Sequence, residues 1–134
     1  MSQENVELVL AGIEAYAKGD LDATLALCAP DVEVFPDRTV FPEAEPLRSR
    51  DAYRRWLEEV ASAWVRVEVE VREVFALPDG RVVLREDWGG LGRSSGLRTS
   101  SSITGIFTLR SRLLARVEWH FDHAEALKAV GLEE

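Results

Sequence analysis

Hydrophobic residues near the start of the chain recur at three- and four-residue steps, a spacing that places them on one face of a helix. This first predicted helix covers residues 6–17, and Gly19 ends it because glycine readily adopts the conformation that closes a helix. Asp20 is a good N-cap for a short second helix, Leu21 to Cys28, which Pro30 closes. The first two helices are therefore expected to meet at a tight corner.

A third helix is predicted after a loop that is rich in proline. Residues 36–48 contain three prolines and are expected to form an ordered loop over a surface or a pocket mouth. Ser49 then caps the helix that follows. Its apolar side chains keep helical spacing at Tyr53, Trp56, Leu57, Val60 and Trp64.

The pattern then changes to alternation of apolar and polar residues, which predicts β-strands. Valines occupy every second position from Val65 to Val71, and the alternation breaks at Glu73–Val74, where we predict a bulge. The other predicted elements are a short strand at Asp31–Pro36, long strands at about Arg81–Trp88, Leu97–Leu109 and Leu113–Phe121, and a short last helix at about His123–Val130.

Helices that are segregated from a run of antiparallel strands predict an α+β fold. We expect a cone-shaped, curved antiparallel sheet of one short and four long strands, covered by the three N-terminal helices and followed by the short C-terminal one. Since no linker or repeat divides the chain, residues 1–134 are expected to form a single domain. A curved sheet capped by helices leaves a hollow at its open end, which is a usual place for a small-molecule site.

Charge and composition exclude several classes of partner. With 24 acidic and 16 basic residues the net charge is −8, which opposes binding to nucleic acid or to an anionic membrane. No apolar stretch reaches the length of a membrane span, and the first residues do not resemble a signal peptide. The lone Cys28 lies in an apolar setting and is interpreted as a small buried hydrophobe. We therefore expect a cytoplasmic protein.

Five short segments carry a resemblance to a known superfamily. They are residues 17–22 (AKGDLD), 27–33 (LCAPDVE), 51–57 (DAYRRWL), 116–122 (RVEWHFD) and 125–127 (EAL). In this order they resemble the nuclear-transport-factor-2-like superfamily, specifically its SnoaL-like branch, which includes polyketide cyclases and relatives of ketosteroid isomerase. The resemblance implies the cone fold, a homodimer formed through the sheet, and a pocket for a small apolar or aromatic ligand. If the chain is an enzyme, it implies acid/base isomerisation, cyclisation or dehydration without a cofactor.

The isomerase mechanism of that superfamily can be tested position by position. It uses a carboxylate base, a tyrosine and a protonated carboxylic acid. Aligned on the Gly19–Asp22 segment, the tyrosine position falls on Gly12, the base near Pro36 and the second oxyanion donor near Gly105. Since one missing oxyanion donor alone costs about 10²–10³ in rate, steroid isomerisation by that mechanism is rejected. Asp37, beside Pro36, remains available as a shifted base.

The candidate site residues follow from these comparisons. Asp37, His120 and Tyr16 are the candidate catalytic groups, and the candidate pocket walls are Phe35, Trp56, Trp88 and Trp119. For a polyketide-cyclase reaction, the pairs His120 with Asp122, or Asp37 with Asp87, remain open. The alternative function is a non-catalytic ligand carrier, sensor or dimeric assembly domain whose pocket is filled by its own side chains.

Two further motifs have simpler interpretations. Residues 92–96 match the G-x-S-x-G pattern of serine hydrolases, but a strand follows where a nucleophile elbow needs a helix. We interpret them as a connection between strands. His120, Asp122 and His123 suggest metal ligands, and Asp37 or Glu118 could complete the set. No helix carries a pair of histidine ligands, however, and a His-x-x-His at a strand end is a weak signal, so no metal is expected. Asp122 or His123 is instead expected to cap the last helix.

Overall fold

The computed structural model describes residues 2–132 and has the predicted α+β architecture. The single domain predicted for residues 1–134 includes residues 1, 133 and 134, which lie outside the described part of the chain. Among residues 2–132, no helix is both long and apolar enough to cross a lipid bilayer. The elements follow one another as α1 (Ser2–Ala17), α2 (Leu21–Ala26), β1 (Cys28–Phe35), α3 (Arg50–Ser62), β2 (Trp64–Ala76), β3 (Val82–Gly92), β4 (Arg98–Arg110), β5 (Leu113–His120) and α4 (His123–Ala129).

Side-chain caps begin the last three helices. Asp20, Ser49 and Asp122 each accept the backbone N–H of the residue three positions later, as the sequence predicts. The prediction for the end of α2 was wrong, because the helix stops at Ala26 and Pro30 lies inside β1. β1 is an edge strand, where the missing N–H of proline removes no essential ladder bond.

The sheet has the strand order β1–β5–β4–β3–β2, and its pairs are antiparallel except that β1 runs parallel to β5. The expectation of a wholly antiparallel sheet was therefore wrong at this one edge. The reason is tertiary: α3 contacts both β1 and β2 and carries the chain across to the opposite edge. The bulge predicted at Glu73–Val74 lies slightly earlier, where the pairing slips between Val71 and Glu73.

Two adjacent glycines let β3 approach both of its neighbours closely. A Cβ on Gly89 would collide with the backbone of Thr99, and one on Gly90 would collide with the backbone of Arg66. Gly90 also has φ +142°, which side-chain-bearing residues rarely adopt. Glycine at these positions permits the close approach and bending that a curved sheet requires.

The two faces of the sheet are covered by different elements. On the concave face, Leu84, Phe107 and Val117 belong to the main core, beneath the N-terminal helices. On the convex face, Val83 and Ile106 pair across β3 and β4, and both are buried. There α4 packs against β4 and β5. Because Val83 and Leu84 are both buried, the first half of β3 is enclosed on both sides.

Candidate ligand-binding cavity

A cavity of about 610 Å³ lies between the helices and the concave face of the sheet. Its wall includes side chains from α1, β1, the 36–48 loop, α3 and strands β3–β5, and most of them are apolar. All four tryptophans and both tyrosines of the chain line it. The volume lies within the range of about 300–1,000 Å³ that small-molecule sites usually have.

The more deeply buried of the two buried acids in this wall is Glu86, at the middle of β3. Its side chain is 2 % exposed, and its Oε1 has no hydrogen-bond partner. It shares the concave face with Leu84 and Trp88, which lie two residues before and after it on the strand. Burial in these surroundings raises the pKa of the Glu86 carboxyl to about 7. Both protonation states are therefore accessible at neutral pH.

Two phenols lie close enough to Glu86 to sense its charge. The Trp88 Nε1–H donates to Tyr16 Oη at 3.0 Å, which leaves the hydroxyl hydrogen of Tyr16 free to be donated elsewhere. Burial, with a contribution from the Glu86 charge, raises the pKa of Tyr16. Burial likewise raises the pKa of Tyr53, again with a contribution from Glu86. Both phenols are therefore protonated hydrogen-bond donors at neutral pH.

Cys28 is a further group of this region that could ionise. It is 2 % exposed, and its Sγ donates weakly to the Thr24 carbonyl oxygen at 3.7 Å. Burial raises the pKa of the thiol to about 11, against a smaller opposing effect of Arg50. The thiol is therefore uncharged at neutral pH, as the interpretation of Cys28 as a buried hydrophobe requires.

Asp37 lies at the edge of the cavity and holds the 36–48 loop against the end of β5. Its carboxylate accepts the backbone N–H of Phe121 at 2.7 Å, and the N–H and hydroxyl of Thr39 at 2.9 and 2.5 Å. Burial acts to raise the pKa of Asp37, but these hydrogen bonds and the nearby His120 outweigh it, so the pKa lies below its usual value. These hydrogen bonds stabilise the charged carboxylate and so make Asp37 a weaker proton acceptor.

The sequence-predicted site residues divide into two sets. Phe35 lies outside the cavity wall, with the guanidinium carbon of Arg116 4.1 Å from its ring centroid. His120 also lies outside the wall, on the other face of β5 from Trp119, and its Nε2 is buried without a partner. The predicted residues that do line the cavity are Tyr16, Asp37, Trp56, Trp88 and Trp119.

Glu86, Tyr53 and Trp64 line the cavity but are not among the predicted site residues. A signal for Glu86 was present in the sequence, because residues two apart on a strand share a face and Trp88 was already a predicted wall. The sequence alone does not show which face of this strand is turned toward the hollow.

Aromatic side chains surround the entrance. Phe41, from the 36–48 loop, meets Phe121 edge-on with the ring centroids 6.0 Å apart. Both rings line the cavity and are also exposed to solvent, as is Trp56 of α3. The entrance is therefore apolar on the loop side and on the helix side.

The two remaining motifs occupy structural positions. Residues 92–96 lie in the connection between β3 and β4, so no helix follows Ser94 as a nucleophile elbow requires. Asp122 caps α4, and His123 Nδ1 lies 2.8 Å from the Thr104 hydroxyl. Within residues 2–132, no three His, Cys, Asp or Glu side chains are grouped so as to hold a metal ion.

The comparisons with known proteins agree with this architecture. The family model of the SnoaL-like domain matches residues 9–117. Among curated proteins, none matches the chain. A protein from Xanthomonas campestris pv. campestris that is classed as a polyketide cyclase has a similar structure (TM-score 0.76, 22% identity, covering 96% of this chain and 98% of that one).

Two further solved structures are similar over nearly the whole chain. One is a protein from Jannaschia sp. CCS1 that is classed as a SnoaL-like polyketide cyclase (TM-score 0.77, 17% identity, covering 98% of this chain and 94% of that one). The other is a protein with a ketosteroid-isomerase-like fold from Catenulispora acidiphila DSM 44928, in complex with trimethylamine (TM-score 0.74, 16% identity, covering 94% of this chain and 93% of that one). The predicted superfamily and cone fold are confirmed. Since the family model covers most of its length, the chain belongs to the family of SnoaL-like domains, within the nuclear-transport-factor-2-like superfamily.

Proposed function

We propose that this SnoaL-like protein binds a flat, largely apolar small molecule inside the cone and moves a proton on it with Glu86. The reaction class is isomerisation, cyclisation or dehydration without a cofactor. The observation that carries the proposal is the position of Glu86: a carboxyl that is 2 % exposed, with an unpartnered oxygen, in the wall of a 610 Å³ apolar cavity.

The pKa of Glu86 suits this role. General acid/base catalysis is most efficient when the pKa of the catalytic group lies near the working pH. Burial brings the pKa of Glu86 to about 7, so the group can accept a proton and later return it at neutral pH. Asp37 does not have this property, because hydrogen bonds hold its pKa low.

Tyr16 supplies the complementary donor in the proposal. Because Trp88 donates to the Tyr16 oxygen, the phenol O–H is free to donate to a ligand oxygen that becomes negative when a neighbouring carbon loses its proton. Tyr16 was a candidate catalytic group from the sequence, and here it acts as an oxyanion donor with Trp88 as its positioning residue. Tyr53 is a second buried phenol in the same wall.

The cellular setting and the oligomeric state belong to the same proposal. A single buried thiol suits a reducing cytoplasm. A homodimer formed through the sheet is supported by the polar outer side of β2 and β3, where Arg72 pairs with Asp87, and by exposed apolar side chains such as Val65 and Leu97. Sedimentation velocity of the purified protein would distinguish the dimer from a monomer.

The catalytic part of the proposal is tested with aromatic ketones that can enolise, by following the exchange of their hydrogens with deuterium from the solvent. Binding is measured first, by quenching of the tryptophans that line the cavity, and deuterium uptake from heavy water into the bound ketone is then followed by mass spectrometry. We expect the wild type to accelerate exchange, Glu86→Gln to bind the ketone but lose the acceleration, and Glu45→Gln to behave as wild type. Glu45 is the matched control because it is an exposed carboxylate in the cavity wall.

Each other result contradicts part of the proposal. Exchange that is equally fast in Glu86→Gln would remove Glu86 from the reaction. Ketones that bind to the wild type without exchanging would favour the non-catalytic carrier. Circular dichroism of both variants confirms that a lost activity is not a lost fold.

A further inference from the structure

The charges in the cavity wall are all of one sign. Among the described residues that line it there is no lysine, arginine or histidine, whereas three carboxylates are present: Glu86, Asp37 and Glu45. Arg50 reaches the backbone oxygen of Cys28 at 3.3 Å, but its side chain is not part of the wall. A carboxylate or phosphate ligand would therefore find no cationic partner inside.

Of the three carboxylates in the wall, Glu86 is the one with a buried oxygen that lacks a hydrogen-bond donor. Asp37 already accepts three hydrogen bonds within the fold, and Glu45 is exposed to water. Oε1 of Glu86 is buried and has no donor, and a buried acceptor without a donor is costly. A donor on the ligand would satisfy it, and a positively charged donor would satisfy it best.

Aromatic rings surround the position of Glu86. Trp64 and Trp88 meet edge-on with centroids 5.2 Å apart, and Trp88 shares a strand face with Glu86. Tyr16 contacts Trp88 through its hydroxyl, and Tyr53 also senses the Glu86 charge. The faces of such rings attract organic cations, most strongly where water is excluded.

The charge of the whole chain acts in the same direction. A net charge of −8 attracts cations toward the protein and disfavours the approach of anions. The net charge of the chain and the carboxylates of the cavity wall therefore both favour a cationic ligand.

We infer that the cavity takes a flat, apolar molecule that carries a basic nitrogen, with its N–H directed at Glu86 and its charge among the tryptophans. This inference rests on the proposed function, because it names the substrate class of the same cavity. It also deepens that function: an ammonium beside Glu86 favours the carboxylate form, which is the form that accepts a proton. The proton transferred is then one from the ligand's own carbon skeleton.

A series of three ligands on one ring system isolates the charge. Aminomethyl-, hydroxymethyl- and carboxyl-substituted anthracene share shape and apolar area, and they present a cation, a neutral donor and an anion. Their affinities are measured by isothermal titration calorimetry at neutral pH, with native mass spectrometry to establish one ligand per chain. We expect the amine to bind at least about tenfold more tightly than the alcohol, and the carboxylate to bind most weakly.

The variants assign the preference to Glu86. In Glu86→Gln the advantage of the amine over the alcohol should fall to about one, while the alcohol binds as before. In the control Glu58→Gln, which removes an exposed carboxylate of α3 outside the cavity wall, the advantage should persist. An alcohol that equals the amine in the wild type, or an amine advantage that survives in Glu86→Gln, overturns the inference and leaves the proposed function standing. If none of the three compounds binds to the wild type, the proposed function itself fails.

Discussion

Replacing Glu86 by glutamine should make the free energy of unfolding less sensitive to rising pH. In the unfolded chain the Glu86 carboxyl titrates near 4.5, whereas burial raises its pKa to about 7 in the folded protein. The folded state therefore binds more protons than the unfolded state between these two values. Stability from this group is fully present below the lower pKa and is lost as the pH rises through the higher one.

The magnitude follows from the size of the shift. Each unit of difference between the folded and unfolded pKa values corresponds to about 1.4 kcal/mol. Ionising Glu86 therefore costs about 3 kcal/mol more in the folded protein than in the unfolded chain. Glutamine has no proton to lose. The free energy of unfolding of the wild type, relative to that of Glu86→Gln, should therefore fall by about 2–3 kcal/mol between pH 5 and pH 8.5.

Urea unfolding followed by tryptophan fluorescence measures this difference at each pH. The substitution by glutamine can also change stability by an amount that does not depend on pH. That amount cancels, because the comparison uses only the change of the free energy of unfolding with pH. Glu45→Gln, which removes an exposed carboxylate at the same cavity, should show no such trend. A difference between wild type and Glu86→Gln that stays flat from pH 5 to pH 8.5 would refute the raised pKa and the reasoning that depends on it.

Three further variants probe the surroundings of the cavity. Asp37→Asn weakens the hydrogen bonds that hold the loop, and should lower the free energy of unfolding by about 1–3 kcal/mol in urea titrations; an unchanged midpoint would contradict the anchoring role. Trp88→Phe keeps a ring but removes the donor to Tyr16, so ketone exchange should slow while ketone affinity stays within about twofold. Gly105→Ala places a methyl group 2.7 Å from the Trp119 ring, which we expect to be pushed into the cavity. Ligand affinity measured by calorimetry should therefore fall, and an unchanged affinity would show that the ring does not move into the cavity.

The local elements could be predicted because their signals are local. The cap residues Asp20 and Ser49 lie where the helices begin, since a side-chain oxygen must satisfy N–H groups that no helical carbonyl reaches. The alternating valines of β2 also predict a strand that is present. The pairing of β1 with β5 was not predictable in this way, because it joins strands at opposite ends of the chain through the packing of α3.

The orientation of β3 is where sequence patterning gives no answer. Val82, Val83 and Leu84 are three consecutive apolar residues and all are buried, so both faces of this part of β3 are enclosed. Alternation cannot show which parity faces the hollow when both faces are enclosed. The side on which Glu86 lies therefore follows only from its two-residue spacing from Trp88, which is a predicted pocket wall, and not from alternation along β3.

The positions of Phe35 and His120, in contrast, could have been predicted from parity. Val34 is buried in the core, so its neighbour Phe35 points to the other face of β1. Trp119 lines the cavity, so His120 points away from it. In both cases the residue type suggested a site, and the strand geometry determined the face.

The two buried acids of the cavity make the strongest contrast in the molecule. Asp37 accepts two hydrogen bonds from Thr39 within its own loop and a third from the backbone N–H of Phe121, which ties the loop to the end of β5, so its burial has a structural explanation. Glu86 has an oxygen that nothing in the described fold satisfies, and its burial costs about 3 kcal/mol at neutral pH out of the roughly 5–15 kcal/mol that stabilise a domain. An apolar side chain at that position would avoid the cost. A destabilising group with a buried oxygen that has no partner in the fold, yet that faces a ligand-sized cavity, is best explained by what enters the cavity.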